Sequence, residues 1–127
     1  MRIEHAALYV FDPEGARDFF VRFFGGKANA GYHSKTTDFR SYFLSFDSGA
    51  RLEIMTRPGI GASDPGALRT GYVHLAFSAG SRAQVDALTE RLRQAGYPVL
   101  SGPRVTGDGY YESCVAGFEG HPIEITE

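Results

Sequence analysis

Two histidines and two glutamates carry the chemistry available to this chain. His5 stands in "IEHAALYV" and His74 in "GYVHLAF", segments that otherwise read as buried strands, while Glu53 interrupts "RLEIM" and Glu124 interrupts "PIEIT". The spacing repeats, with 48 residues from His5 to Glu53 and 50 from His74 to Glu124. Side chains alternate faces along a strand, so Glu53 lies opposite Leu52 and Ile54, and Glu124 opposite Ile123 and Ile125. The aliphatic residues have to face helices, which turns the glutamates, and with them His5 and His74, to the other sheet face. If two such sheets curve toward each other, two imidazoles and two carboxylates converge in one hollow. A divalent metal is the economical occupant, because imidazole suits Zn, Ni, Co or Fe and carboxylate oxygen also suits Mn. Two carboxylates gathered there without a cation would be electrostatically unfavourable. A lone histidine in an apolar strand is usually a satisfied core residue; four such residues at repeated strand positions favour a ligand set.

The elements that must position them also come twice. A first strand, Ile3 to Val10, ends at "FDPEG", where Asp12 can cap a helix and Pro13 fits its first position. Ala16, Phe19, Phe20, Phe23 and Phe24 then recur with helical spacing, and Gly25-Gly26 supplies a stop. Strand-like stretches follow: a short "KANAGYH", then "FRSYFLSFD" and "ARLEIMTR" joined by a turn at Asp47-Ser48-Gly49. After the Gly- and Pro-rich "PGIGASDPGALRT" the order repeats, with strand "GYVHLAFSA", a capping box at Ser81 and Gln84, and a helix with Val85, Leu88, Leu92 and Ala95 inward. Strands at "YPVL", "GYYESCVA" and "PIEIT" close the chain. Superposing His5 on His74 brings Phe19 onto Leu88 and Phe23 onto Leu92. The expectation is an α+β fold of two β-α-β-β-β modules, about 1–57 and 71–127, with linker 58–70, forming curved sheets around a metal-binding hollow in one domain over 1–127.

Composition narrows the function classes. With 127 residues, 43% hydrophobic and 22% charged, the chain can bury an ordinary core. A net charge of −2 and no Lys/Arg cluster give no field to attract nucleic acid or an anionic membrane. The single Cys114 excludes an internal disulfide and is most simply a small buried residue in a reducing compartment. The start "MRIEHAALYVFDPEG" lacks the apolar run of a signal peptide or membrane span, so the location expected is cytoplasmic. His33 and His121, in loop-like settings, are expected to be exposed. Arg51, Met55 and Arg57 share strand parity with Glu53, so an arginine there could hold a substrate carboxylate or phosphate, or simply be solvated.

The modules with "EHAAL", "RLEIM", "VHLAF" and "PIEIT" resemble the glyoxalase, or vicinal oxygen chelate, superfamily along essentially the whole chain. That superfamily includes glyoxalase I, methylmalonyl-CoA epimerase, extradiol dioxygenases and the fosfomycin and bleomycin resistance proteins. By position, His5, Glu53, His74 and Glu124 match the four metal ligands of glyoxalase I. The close "GDGYYESCVAGFEGHPIEI" is also similar to the family's, with "AGF" where an Asp-Pro turn is common. The resemblance implies a divalent metal that chelates neighbouring oxygens of a small-molecule substrate and stabilises an enediolate, with a carboxylate as proton shuttle. Glu124 is the first choice for that base and Glu53 the alternative. Four ligands favour lyase or isomerase chemistry over the three-ligand dioxygenases and fosfomycin transferases. No basic cluster suited to glutathione carboxylates is evident. A homodimer is expected, with the site built within one chain or between two. Two other readings stay open: a metal-free module that binds an antibiotic or metabolite in a hollow lined by Phe39, Phe43 or Tyr9, and a metal-dependent acyl-CoA epimerase.

Overall fold

Asp12 and Pro13 start the first helix as their chemistry requires: Asp12 Oδ1 accepts from the Gly15 amide at 2.9 Å, and Pro13 sits where it has no hydrogen bond to lose. Helix α1, Pro13–Phe24, buries Ala16, Phe19, Phe20 and Phe23, and Gly25 ends it in the left-handed region. The structure, a computed structural model, describes residues 1–47, 49–64, 68 and 70–127. These fall into two units, Met1–Ala62 and Ser63–Glu127. The α+β class expected from the sequence holds, with each unit built as one open sheet and one long helix.

In the first unit, β1 (His5–Tyr9) runs parallel to β5 (Arg51–Thr56), which pairs antiparallel with β4 (Arg40–Ser45). The segment "KANAGYH", read as one strand, is two: β2 (Lys27–Ala28) and β3 (Tyr32–His33), both paired with β4. Between them the Asn29 side chain takes over the ladder, its Oδ1 accepting from the Phe43 amide at 3.0 Å and the Gly31 amide at 3.1 Å. Gly31, at φ 82°, has the Tyr42 ring where a Cβ would stand, 2.6 Å away, so this break needs glycine twice over. Leu44, Leu52 and Ile54 are buried on the helix side. Of the expected turn at Asp47-Ser48-Gly49, Ser48 lies outside the described residues, as do Pro65, Gly66, Ala67 and Arg69 of the "PGIGASDPGALRT" stretch.

The second unit repeats the connectivity. Strand β6 (Leu75–Ser78) leads into α2 (Arg82–Gln94), followed by β7 (Val99–Val105), β8 (Tyr111–Ala116) and β9 (Pro122–Thr126), in the sheet order β6-β9-β8-β7. Again the first strand is parallel to the last. Ser81 caps α2 through Oγ, which accepts from the Gln84 amide at 3.3 Å. Moving Ala16, Phe19, Phe20 and Phe23 by the interval between His5 and His74 gives Val85, Leu88, Thr89 and Leu92; of these Val85, Thr89 and Leu92 are buried and Leu88 half-buried. Ala95, expected inward, is exposed at the helix C-cap, and Thr89 takes a core place instead.

Thr89 can be buried because its hydroxyl is fully used. Oγ1 donates to the Val85 carbonyl at 2.6 Å, leaving it to accept from Ser113 Oγ, also at 2.6 Å. Replacing Thr89 by Val leaves the buried Ser113 hydroxyl without that partner and is expected to cost about 1–3 kcal/mol. Removing both hydroxyls together, in Thr89→Val with Ser113→Ala, should cost less than the sum of the single changes. Urea unfolding of the four proteins checks this as a double-mutant cycle.

The strand expected over "GYVHLAFSA" begins only at Leu75, and Tyr72 and Val73 are exposed. The partner strand explains the shortening. Leu75 pairs with Ile123, and the next residue back along β9 is Pro122, which has no N–H to extend the ladder. His74 therefore stands at the mouth of β6, whereas His5 is within β1 and paired with Arg51.

Candidate metal-ligand pairs

Strand register brings each histidine to a glutamate of its own unit. In the first unit Ala7 pairs with Glu53, and His5 lies two residues before Ala7, on the same face. In the second Ala76 pairs with Glu124, and His74 lies two residues before Ala76. The offset is identical, so each imidazole reaches diagonally across an alanine toward a carboxylate. His5 Nε2 stands 3.9 Å from Glu53 Oε2, and His74 Nε2 stands 3.6 Å from Glu124 Oε2. The alanines matter because a larger side chain opposite either glutamate would fill the diagonal. His-x-Ala in "EHAAL" and "HLA" is a repeated signal in the sequence that the expectation did not use.

These distances are too long for a direct hydrogen bond. They lie just beyond the spacing of two donors bound to one cation, roughly 3.0–3.5 Å for ligand bonds of about 2.0–2.2 Å. Both pairs combine imidazole nitrogen with carboxylate oxygen, a donor set suited to a divalent transition metal. The residues thus fit the metal in kind. The structure joins the four expected residues as two pairs. Among the described residues no group of three or more His, Cys, Asp and Glu side chains gathers as a metal site.

The two pairs have different surroundings. In the first, His5 Nδ1 contacts Glu4 Oε2, and Arg51 Nε donates to Glu4 Oε1 at 2.8 Å. Arg51 also lies over the Phe43 ring, 4.3 Å from its centroid, and Phe43 meets His5 edge-on at 5.5 Å. His5, then Arg51, hold the Glu4 carboxyl below its ordinary pKa. Arg51 is therefore engaged in the protein, not a free substrate arm, and Arg57 is exposed past the end of β5. In the second unit, Cys114 takes the place of Phe43: it pairs with Glu124 as Phe43 pairs with Glu53. Burial pushes the Cys114 thiol up, with Glu124 and Glu112 adding to it, so it is not an activated nucleophile. His33 is exposed, as expected, and its Nε2 bonds Asp38 Oδ1 at 2.7 Å.

Sequence reasoning missed Glu4, although its place beside His5 was the available clue. It stands just before β1, where its carbonyl still accepts from the Arg51 amide at 3.0 Å, and its side chain reaches both His5 and Arg51.

Known structures share this architecture. The glyoxalase family protein APC24694 from Bacillus cereus superposes with a TM-score of 0.80 at 18% identity, covering 100% of this chain and 93% of that one. The trypanothione-dependent glyoxalase I of Leishmania major gives a TM-score of 0.78 at 19% identity, covering 100% of this chain and 86% of that one. At these identities the likeness is one of fold. An uncharacterized protein, YqjT, from Bacillus subtilis (strain 168) is 50% identical over 46 residues, 34% of this chain and 36% of its own length, so the match spans about a third of that relative. Among the described residues no helix is long and apolar enough to cross a membrane. The repeated strand-helix-sheet unit agrees with a family model that matches residues 2–125, and the chain belongs to the Glyoxalase/Bleomycin resistance protein/Dioxygenase superfamily.

Proposed function

We propose that this protein is a metal-dependent glyoxalase I-like lyase or isomerase, working in the cytoplasm as a homodimer on a small molecule with two neighbouring oxygens. The observation that carries the reading is the repeated approach of a histidine and a glutamate at one register offset in both units. His5, Glu53, His74 and Glu124 would hold one divalent ion, Zn, Ni, Co, Mn or Fe. When bound, that ion supplies Lewis-acid stabilisation of negative charge developing on vicinal oxygens. The chain's own part is proton movement and orientation. Glu124 takes a proton from the carbon beside the carbonyl and returns it to the neighbouring carbon, a shuttle that needs a carboxylate within reach of both. Glu53 is the alternative base. Ala7 and Ala76, paired with Glu53 and Glu124, place only a methyl group opposite each carboxylate.

The test uses tag-free protein purified without added metal. Elemental mass spectrometry should find near-stoichiometric transition metal, and the loaded protein should consume thiohemiacetals of α-oxoaldehydes formed with low-molecular-weight thiols. No metal after reconstitution, together with no turnover, would sink the reading. Solvent deuterium entering an acyl thioester beside its carbonyl, without thiohemiacetal consumption, would move the protein to epimerase chemistry on the same ligands.

A further inference from the structure

The two histidines are held differently, and the difference reaches the atom that matters. Glu4, when ionised, can only accept hydrogen bonds, so its contact with His5 Nδ1 requires the proton to be on Nδ1. Nε2 is then bare, and it is Nε2 that faces Glu53. Arg51 fixes Glu4 from the far side and is itself laid on Phe43, whose edge meets the His5 ring. Three residues from neighbouring segments thus close a bracket around one imidazole. In the second unit the residue before His74 is Val73, the residue at the Arg51 register position of β9 is Pro122, and the residue at the Phe43 position is Cys114. None of the three can repeat the bracket.

We infer that Glu4, braced by Arg51, is a positioning residue that locks His5 in the tautomer with a bare Nε2 and so makes the first His–Glu pair the preorganised half of the ligand set. The inference rests on the reading of His5 as a metal ligand. Groups that accept the N–H of a ligating histidine's second nitrogen fix its ring and raise its basicity, and their loss typically weakens metal binding by about 10–100-fold. The Glu4 and Arg51 side chains are themselves about half exposed, so their solvent-screened ion pair contributes little to folding. That separates the positioning role from a structural one.

The experiment compares wild type, Glu4→Leu and Glu4→Gln in full-length, metal-free protein. Ring tautomers are read by long-range proton–nitrogen NMR at a pH where histidine is neutral, and Zn²⁺ affinity by calorimetry. Wild type should show a pyrrole-like Nδ1 and a pyridine-like Nε2 at His5. Glu4→Gln, whose amide can accept through its oxygen or donate through its NH2, should relax that preference part of the way. Glu4→Leu should release it into mixed tautomers and weaken Zn²⁺ binding about 10–100-fold, with an unchanged Tm and unmoved His74 signals. A wild-type His5 protonated on Nε2, or a Glu4→Leu protein with wild-type tautomer and Zn²⁺ affinity, would overturn the inference. If wild type binds no Zn²⁺, the ligand reading fails instead, and the His5 tautomer in wild type and Glu4→Leu still decides the role of Glu4.

Discussion

Glu124→Gln is expected to strip the protein of most of its metal and, when the metal is forced back by excess, to leave turnover down by about 10²–10⁴-fold, the share a positioned general base ordinarily supplies. The substituted amide would retain an oxygen donor but neither the charge that helps hold a cation nor the capacity to take up a proton. Glu53→Gln is expected to show the first defect without the second: metal content falls, and saturating metal restores much of the rate. The surroundings of the two pairs support this division. Glu53 faces a histidine bracketed by Glu4, Arg51 and Phe43, a setting suited to a fixed ligand. Glu124 faces His74, which stands just before its strand, and Val73, Pro122 and Cys114 at the corresponding positions cannot repeat that bracket. Elemental analysis and steady-state rates at saturating metal, measured on both variants, test the assignment. Recovery of Glu124→Gln with persistent loss in Glu53→Gln would exchange the two roles, and full activity of both without metal would remove metal chemistry from the account.

Much of this was legible in the sequence because repetition amplified it. Asp12-Pro13 and Ser81 each mark a helix start through a side chain that caps the first free amides, and the buried faces of the two helices coincide under one shift of the chain. Glu53 and Glu124 between aliphatic residues report the face of their strands directly, since alternation leaves no other choice. The features that escaped reading depend on what lies across the strand. The break at Asn29 to Gly31 is set by the Phe43 amide and the Tyr42 ring, and the late start of β6 by Pro122, which is 47 residues further along the chain than Leu75. Val73 looks like a core residue beside His74 in the sequence, yet it has no paired strand and is exposed. Likewise the role of Arg51 is decided by Glu4 and Phe43, which only register brings to it. Local propensity locates elements; partners decide where they stop and what their exposed side chains hold.

The same alternation predicts a clean division between stability and function on adjacent residues of β5. Ile54 is fully buried in the central strand of its sheet, paired with Leu8 on one side and Tyr42 on the other. Ile54→Ala removes three methyl or methylene carbons from a core that includes Phe19, Phe20, Leu44 and Leu52, and is expected to cost about 2–5 kcal/mol through lost transfer energy and the cavity left behind. Against a total stability of about 5–15 kcal/mol for a typical domain, that is a large fraction. Glu53, one residue earlier, points to the other face with its carboxylate near His5, and glutamine there keeps the same number of side-chain heavy atoms, so no cavity is left. Glu53→Gln should therefore shift the urea midpoint little while emptying the metal site, and Ile54→Ala should shift it strongly while the protein that remains folded still binds metal. Denaturant curves on the metal-free proteins, followed by metal titration under folding conditions, separate the two effects, because metal present during unfolding would add its own binding energy to the folded state. If Glu53→Gln proved as destabilising as Ile54→Ala in the absence of metal, the carboxylate would be part of the scaffold, and its place beside His5 would be a matter of folding and not of chemistry.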